Sequence, residues 1–478
     1  MNKWNKLLVF VGVMSLVIFI AACGNDSANN GGDLTDTAEN PPATTEPQPQ
    51  ESTPNGDQIV LRYANWNLGT EEENNLERQM IQAFMDAHPN IIIEIDNSIT
   101  PGETHWNELL AIAASTGNLP DVFMVDDIGV NLTNGWALDI SEIANADADF
   151  TALPENMQDA MSINNRVYNV PFAQHMFGYF VNLDLFDSLN LDAPTFGFSI
   201  EEFEEAVRLV TDLNSPIIGT NHIDYFIAWY PGALNANMGF LTFDGEEFNL
   251  NSPEMLNAVQ TAVELSSNGF VFDELEEAQR ESFNGGWGGE VFFNEQMGLL
   301  WDGTWAVGSI AEQSNFNWEF IGVPGGRPMV TTDVLNIATT TTHPEEAYLF
   351  AMWMGSGSNG FTRRMELAQE NQTIVNALPI TGNQTLLTTF WEMLGVPGIA
   401  LAYENLDNAL IDRNKITPGW PTVRHHAQTG IQIQDNDNAT VGDVLHNAVR
   451  GNINFADYAA RINDIMQETF EEMNNAIE

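Results

Sequence analysis

Apolar positions along this chain recur at two periods, and the two alternate. The run Ile59-Val60-Leu61-Arg62-Tyr63-Ala64-Asn65-Trp66 is rich in β-forming residues and reads as a strand. Over 71–88, Leu76, Met80 and Phe84 fall four residues apart with Ala83 and Ala87 beside them. That is one face of a helix, which Pro89-Asn90 ends. A second strand at 91–95, a helix at about 104–115 and a third strand at 122–125 follow. Strands alternating with helices predict an α/β body with a largely parallel sheet.

The pattern restarts at Val170-Pro171-Phe172. Ser199 precedes Glu202 at capping-box spacing, and Phe203, Ala206, Val207, Val210 and Leu213 line the face of the helix it opens. Asp-Gly within Phe243-Asp244-Gly245-Glu246 is expected to turn a hairpin. Ser252-Pro253-Glu254 opens another helix, and the chain ends in a long amphipathic helix over 455–477. There is no internal repeat.

The first residues belong to a different class. Lys3 and Lys6 precede an apolar run from Leu7 to Ile20, and Ala21-Ala22-Cys23-Gly24 follows. A basic region, a short apolar region and small residues before a cut make a secretory signal, expected over 1–22. The run is short for a membrane span. Cys23 is the only cysteine, so an internal disulfide is excluded. Its setting resembles a bacterial lipobox, with Ile20 where Leu is usual. The resemblance implies a diacylated Cys23 and a protein anchored by lipid on the extracellular face of the cell membrane. Residues 23–57 are polar, with Pro41-Pro42 and Pro54 among them, and read as a disordered tether.

Composition narrows the class of partner. The formal net charge is −52, which becomes −54 once Lys3 and Lys6 leave with the leader. Such a surface repels nucleic acid and anionic lipid headgroups, so no nucleic-acid partner is expected. The acidity is spread along the chain, which suits a salty or alkaline habitat better than an anionic solute. About 420 residues follow the tether, room for two lobes around a large core.

Several motif-like strings carry no chemistry. Gly355-Ser356-Gly357-Ser358-Asn359-Gly360 spells G-x-G-x-x-G but follows a predicted helix, whereas the dinucleotide fingerprint needs a strand before it. Asp435-Asn436-Asp437-Asn438 lacks the glycine and glutamate of a calcium loop. His425-His426 has no evident metal partner, and no nucleophile elbow is present. No metal or cofactor is expected.

The ordered series of segments is what is recognisable. Phe84 to Ile91, Gly117-Asn118-Leu119-Pro120-Asp121-Val122-Phe123, Tyr168 to Phe172 with Phe180 to Phe186, Gly298 to Ala306, and Pro344-Glu345-Glu346-Ala347-Tyr348 resemble, in order, segments of the family 1 extracellular solute-binding proteins. The resemblance spans residue 58 to the C-terminus. It implies a two-lobe periplasmic-binding-protein-like α/β fold of type II, with a ligand cleft between lobes joined by a hinge. By analogy, one lobe comprises 58–169 plus 331–395 and the other 170–330 plus 396–478. It further implies a monomeric, non-enzymatic receptor that delivers a carbohydrate to the permease subunits of an ABC importer.

Sugars present flat C–H faces and a rim of hydroxyls, so a sugar site needs aromatic platforms edged by polar side chains. Trp305, within Asp302-Gly303-Thr304-Trp305, and Trp420, within Gly419-Trp420-Pro421-Thr422-Val423-Arg424, match stacking segments of the family. Trp66 ends the first strand, where clefts open. Asp126, with Asp127 beside it, matches the family's cleft aspartate, and His175 follows the first crossing. Trp229, Tyr230 and the glycine-flanked Trp287 are candidates on cleft loops. Two alternatives remain at this stage: the same fold with a non-sugar solute, and a secreted glycoside hydrolase, which needs only two carboxylates.

Overall fold

The computed structural model describes residues 58–102 and 104–477. The expected leader, Cys23 and the whole of the tether lie outside the described residues. Nine strands form one sheet: β1 (Ile59–Ala64), β2 (Ile91–Ile95), β3 (Val122–Met124), β4 (Asn169–Asn182), β5 (Ile218–Thr220), β6 (Met297–Gly303), β7 (Trp318–Gly322), β8 (Met329–Ile337) and β9 (Leu410–Asp412). Their order is β2-β1-β3-β8-β4-β6-β5, with β9 beside β8 and β7 beside β4.

β1 pairs in parallel with both β2 and β3, as alternation with helices requires. β8 then runs antiparallel to β3 and to β4, and β4 runs antiparallel to β6. β4 and β8 are therefore the two strands through which the halves of the molecule are joined. All fourteen residues of β4 are buried. Its first part lies against β8 from Asn169 to Phe177, and its second part against β6 and β7 from Phe177 to Asn182. Gly178 meets Gly322 so closely that a Cβ on Gly178 would lie 2.7 Å from the Gly322 Cα. A side chain there would part the strands.

The core falls into three clusters. One surrounds β1, β2 and β3 and includes Tyr63, Phe84, Phe123 and Phe350. A second joins the later part of β4 to the C-terminal helix Ala459–Asn475 through Tyr179, Trp229, Trp420 and Met466. The third gathers the helices Ser358–Asn371, Gln384–Leu394 and Pro397–Tyr403 with β6 and β7, and includes Phe361, Phe390, Ile399, Leu300 and Phe320.

Most predicted elements occur close to where the periodicity puts them. The capping box at Ser199 and Glu202 is present, with Ile200–Val210 behind it. The helix expected from 71 begins only at Leu76, because the Asn75 side chain accepts from Arg78 N–H and leaves the three preceding glutamates outside. The expected hairpin at Asp244-Gly245 is not one. Asp244 Oδ1 accepts from the N–H groups of Glu246 and Glu247, both at 2.9 Å, and the flanking Phe243 and Phe248 pack on Trp420 instead of forming strands.

Three buried asparagines stitch the crossing strands to the first half. Asn336 Nδ2 donates to Asn169 Oδ1 at 2.8 Å and to Tyr168 O at 3.0 Å, while its Oδ1 accepts from Asn131 Nδ2 at 2.8 Å. Replacing Asn336 strands buried partners that were satisfied. Asn336→Leu is expected to destabilise the protein by about 2–4 kcal/mol in urea unfolding; a loss under about 1 kcal/mol would show that the network adds little.

Candidate functional site

Alternation along a strand puts every second side chain on one face. On β4 that face carries Ala173, His175 and Phe177; on β8 it carries Thr331 and Asp333; on β9 it carries Asp412. Together they line a cleft of about 880 Å³, a volume suited to a ligand of several rings. Trp66, Glu77 and Arg364 come from the first half, and Asn221, Tyr225, Trp287, Trp301, Asp302 and Trp305 from the second.

Two tryptophans at this cleft are exposed, Trp287 at 51% and Trp305 at 40%. Each ring lies back over a glycine. A Cβ on Gly289 would stand 2.0 Å from the Trp287 ring, and one on Gly303 would stand 2.4 Å from the Trp305 ring. The glycines are there for close approach, and any side chain would tip the indoles out of position. Beneath Trp305, the Phe177 ring meets it edge-on at 5.1 Å and lies nearly parallel to Trp301 at 6.2 Å. Asn221 fixes Trp301 from both sides of its peptide, accepting from Trp301 N–H at 2.7 Å and donating to Trp301 O at 3.1 Å.

The charged groups of the cleft are mostly matched with one another. Arg364 is forked on Glu77, with one bond at 3.0 Å, and also donates to Met354 O at 2.8 Å. Lys415 pairs with Asp333. Asp412 accepts from Arg424 at 3.1 Å, and Arg424 is itself held between the rings of Tyr225 and Phe240 at 4.9 and 4.8 Å. Asp302 has no ion-pair partner among the described residues. Burial pushes its carboxyl up, against opposing hydrogen bonds from Gly303 N–H and the Trp305 side chain. His175 is buried on the crossing strand, 3.9 Å from Asp333 and edge-on to Trp305 at 5.4 Å. Burial holds its pKa below the usual value and Lys415 acts in the same direction, with Asp333 opposing.

Of the residues singled out in the sequence, Trp66, His175, Trp287 and Trp305 are brought together here. The other four lie elsewhere. Asp126 is exposed, accepting from Asn107 Nδ2 at 3.0 Å, and does not line the cleft. Asp127 does not either: its side chain caps the helix Ile128–Thr133, where burial pushes its carboxyl up to about 6. The chain turns into that helix directly after β3, which carries both carboxylates away. Trp229 is wholly buried among Tyr179, Phe203 and Phe226, and Tyr230 beside it reaches Thr261 at 3.3 Å. Trp420 is 1% exposed and packs on Phe243, Phe248 and Phe470. Gly419, at φ +76°, brings the chain so close to the C-terminal helix that a Cβ would meet Met473 at 2.4 Å, and Trp420 is drawn under that helix.

Apart from His175, the polar part of the cleft escaped sequence reasoning. Asp333 sits in an otherwise β-forming run, where the triplet Thr331-Thr332-Asp333 was the available signal. Asp302 lies three residues before Trp305. Lys415 is the one lysine beyond the leader.

Among the described residues, no cluster of His, Cys, Asp or Glu could hold a metal ion, and no helix is long and apolar enough to cross a membrane. The family model for bacterial extracellular solute-binding proteins matches residues 69–358. A multiple sugar-binding protein of Streptococcus mutans is 20% identical over 375 residues, 74% of this chain and 79% of that protein. An ABC substrate-binding protein of Listeria monocytogenes in complex with cycloalternan has the same fold, with TM-score 0.65 and 17% identity over 88% of this chain and 99% of that one. The cyclic α-maltosyl-1,6-maltose binding protein of Arthrobacter globiformis gives TM-score 0.62 and 16% identity over 87% and 99%. The mixed α/β body with its two crossing strands is a periplasmic-binding-protein fold, and the chain belongs to the bacterial extracellular solute-binding proteins, a family that binds solutes without catalysing a reaction.

Proposed function

We propose that this protein is the substrate-binding lipoprotein of an ABC importer and that it captures a neutral oligosaccharide in the cleft between its lobes. The observation that carries the reading is the pair of exposed indoles, Trp287 and Trp305, held over glycines at a cleft of about 880 Å³. Exposed aromatic faces are costly unless a partner covers them, and the C–H face of a pyranose is such a partner. The mutual pairing of Glu77 with Arg364 and of Asp333 with Lys415 leaves little to attract an anion. Asp302 supplies an acceptor for sugar hydroxyls beside Trp305. The sugars named for the Streptococcus, Listeria and Arthrobacter relatives support the same class.

In this reading Cys23 carries the lipid, 24–57 hold the body off the extracellular face of the membrane, and the permease receives the closed, loaded form. The two lobes close about β4 and β8. A thermal-shift screen against neutral mono- and oligosaccharides, with polyamines and peptides as controls, tests the solute. A solute at 100 times its dissociation constant stabilises the folded state by about 2.7 kcal/mol, which raises the melting temperature. A rise only with the controls would overturn the sugar reading while leaving the receptor.

For any oligosaccharide that scores, Trp305→Ala is expected to weaken binding by about 1–3 kcal/mol, roughly 5- to 150-fold, by titration calorimetry. An unchanged affinity in the folded variant would remove Trp305 from the site. His175 gives a pH signature. Its folded pKa lies below the ordinary 6.5, so the unfolded chain takes up a proton first as the pH falls. The stability that neutral His175 contributes is therefore complete above about 6.5 and declines below it. His175→Gln is expected to make the pH dependence of unfolding shallower on the acid side of 6.5; identical slopes would show that His175 titrates as it does in the unfolded chain.

A further inference from the structure

Lys415 is an anomaly of composition. Beyond the leader lysines, Lys3 and Lys6, every other basic residue of the 15 in the chain is an arginine. The single exception stands in the cleft. Its ammonium sits over the Trp66 ring, 4.9 Å from the centroid, and pairs with Asp333 on β8. The other carboxylate oxygen of Asp333 faces His175 at 3.9 Å, and the His175 ring meets Trp305 edge-on at 5.4 Å. A line of contacts therefore crosses the cleft floor, from an indole of the first half to an indole of the second, through both crossing strands.

The choice of lysine has a physical reason. An ammonium is compact, with three donors on a flexible four-carbon stem, whereas a guanidinium is a planar fork that would need an acceptor edge along its length. Lys415 can give one donor to Asp333, point its charge at the Trp66 face and keep a donor for the cleft. Arg364, the other non-histidine base on the cleft wall, has no such freedom: it is 3% exposed at its side chain and spent on Glu77 and Met354 O.

We propose that Lys415 is a specificity-determining residue of the cleft: seated on Trp66 and held by Asp333, it covers the indole face that would otherwise stack on solute and offers its remaining donor to a hydroxyl or ring oxygen of a neutral sugar. Stacking then rests on Trp287 and Trp305, and the first lobe contributes Trp66 as the seat of the cation. The seat stands on geometry alone; the contact with solute rests on the sugar-binding reading above. A bare ammonium would draw anions, but one neutralised by Asp333 reads lone pairs, which selects uncharged polyols over uronates and phosphates.

Incorporation of ¹³C-lysine tests this in the full chain, since it labels lysines and leaves the ammonium and its three donors unaltered. The signal lost in Lys415→Arg is assigned to Lys415. The indole ring current is expected to displace that signal upfield from that of a solvent-exposed lysine, and Trp66→Leu is expected to return it. A signal at the free position in the parent protein overturns the seat, and so does one that Trp66→Leu leaves in place. Cycloalternan is then titrated while tryptophan fluorescence is followed. Movement of the Lys415 signal in step with the fluorescence supports the contact. A fluorescence response with a motionless Lys415 signal overturns it. Silence of both, with the upfield displacement intact, supports the seat and counts against that sugar in the functional reading.

Discussion

Everything at the cleft depends on a pair of strands that must be at once core and crossing. β4 is buried along its whole length, yet the cleft face of β4 and β8 carries His175, Thr331 and Asp333. A buried strand is normally an apolar run, because unpaired polar groups cost several kcal/mol away from water. Here the backbone ladder satisfies the main chain, and Asp333 and Asn336 find partners in groups brought from other segments: Lys415 for Asp333, Asn131 and Asn169 for Asn336. The ladder shifts register between Asp333 and Val334. Such an irregularity loosens pairing locally, and it lies beside the charged residue of the cleft floor. In the proposed function, bending of the lobes and recognition in the cleft would draw on the same few residues.

The fold was largely legible because its determinants are local. Periodicity locates β1, β2, β3 and most helices, and the spacing of Ser199 and Glu202 marks the start of its helix. Errors arose where tertiary contacts overrode a local signal. Asp244-Gly245 has the chemistry of a hairpin turn, but Phe243 and Phe248 gain more by burial against Trp420 than by pairing as strands.

The site was legible in its aromatics and opaque in its polar groups, for a related reason. Glycine beside tryptophan is a local pattern with a steric cause, and Trp287 and Trp305 both come out at the cleft with their rings over Gly289 and Gly303. Trp420 also has a glycine close by, Gly419, and is in the core. The difference is what Gly419 accommodates, a neighbouring helix in place of the indole itself, and that is a fact of packing. The ion pairs of Arg364 with Glu77 and Lys415 with Asp333 join residues 287 and 82 positions apart. No spacing rule could find them.

The chain's charge acquires a meaning from this arrangement. A surface at −52 exerts a long-range field that disfavours every anionic solute and makes steering of a cation indiscriminate. A receptor for uncharged solutes escapes both problems, provided its cleft does not rely on the net charge for affinity. Pairing the cleft cations with carboxylates achieves that separation: the exterior can carry acid freely, while inside the cleft the interactions left to a ligand are aromatic faces and short-range hydrogen bonds. Those interactions discriminate by shape and hydroxyl geometry, and salt screens them far less than it screens the exterior. A cleft built this way keeps its selectivity while the surface around it changes, so the acidity of the chain and the chemistry of its site can vary independently.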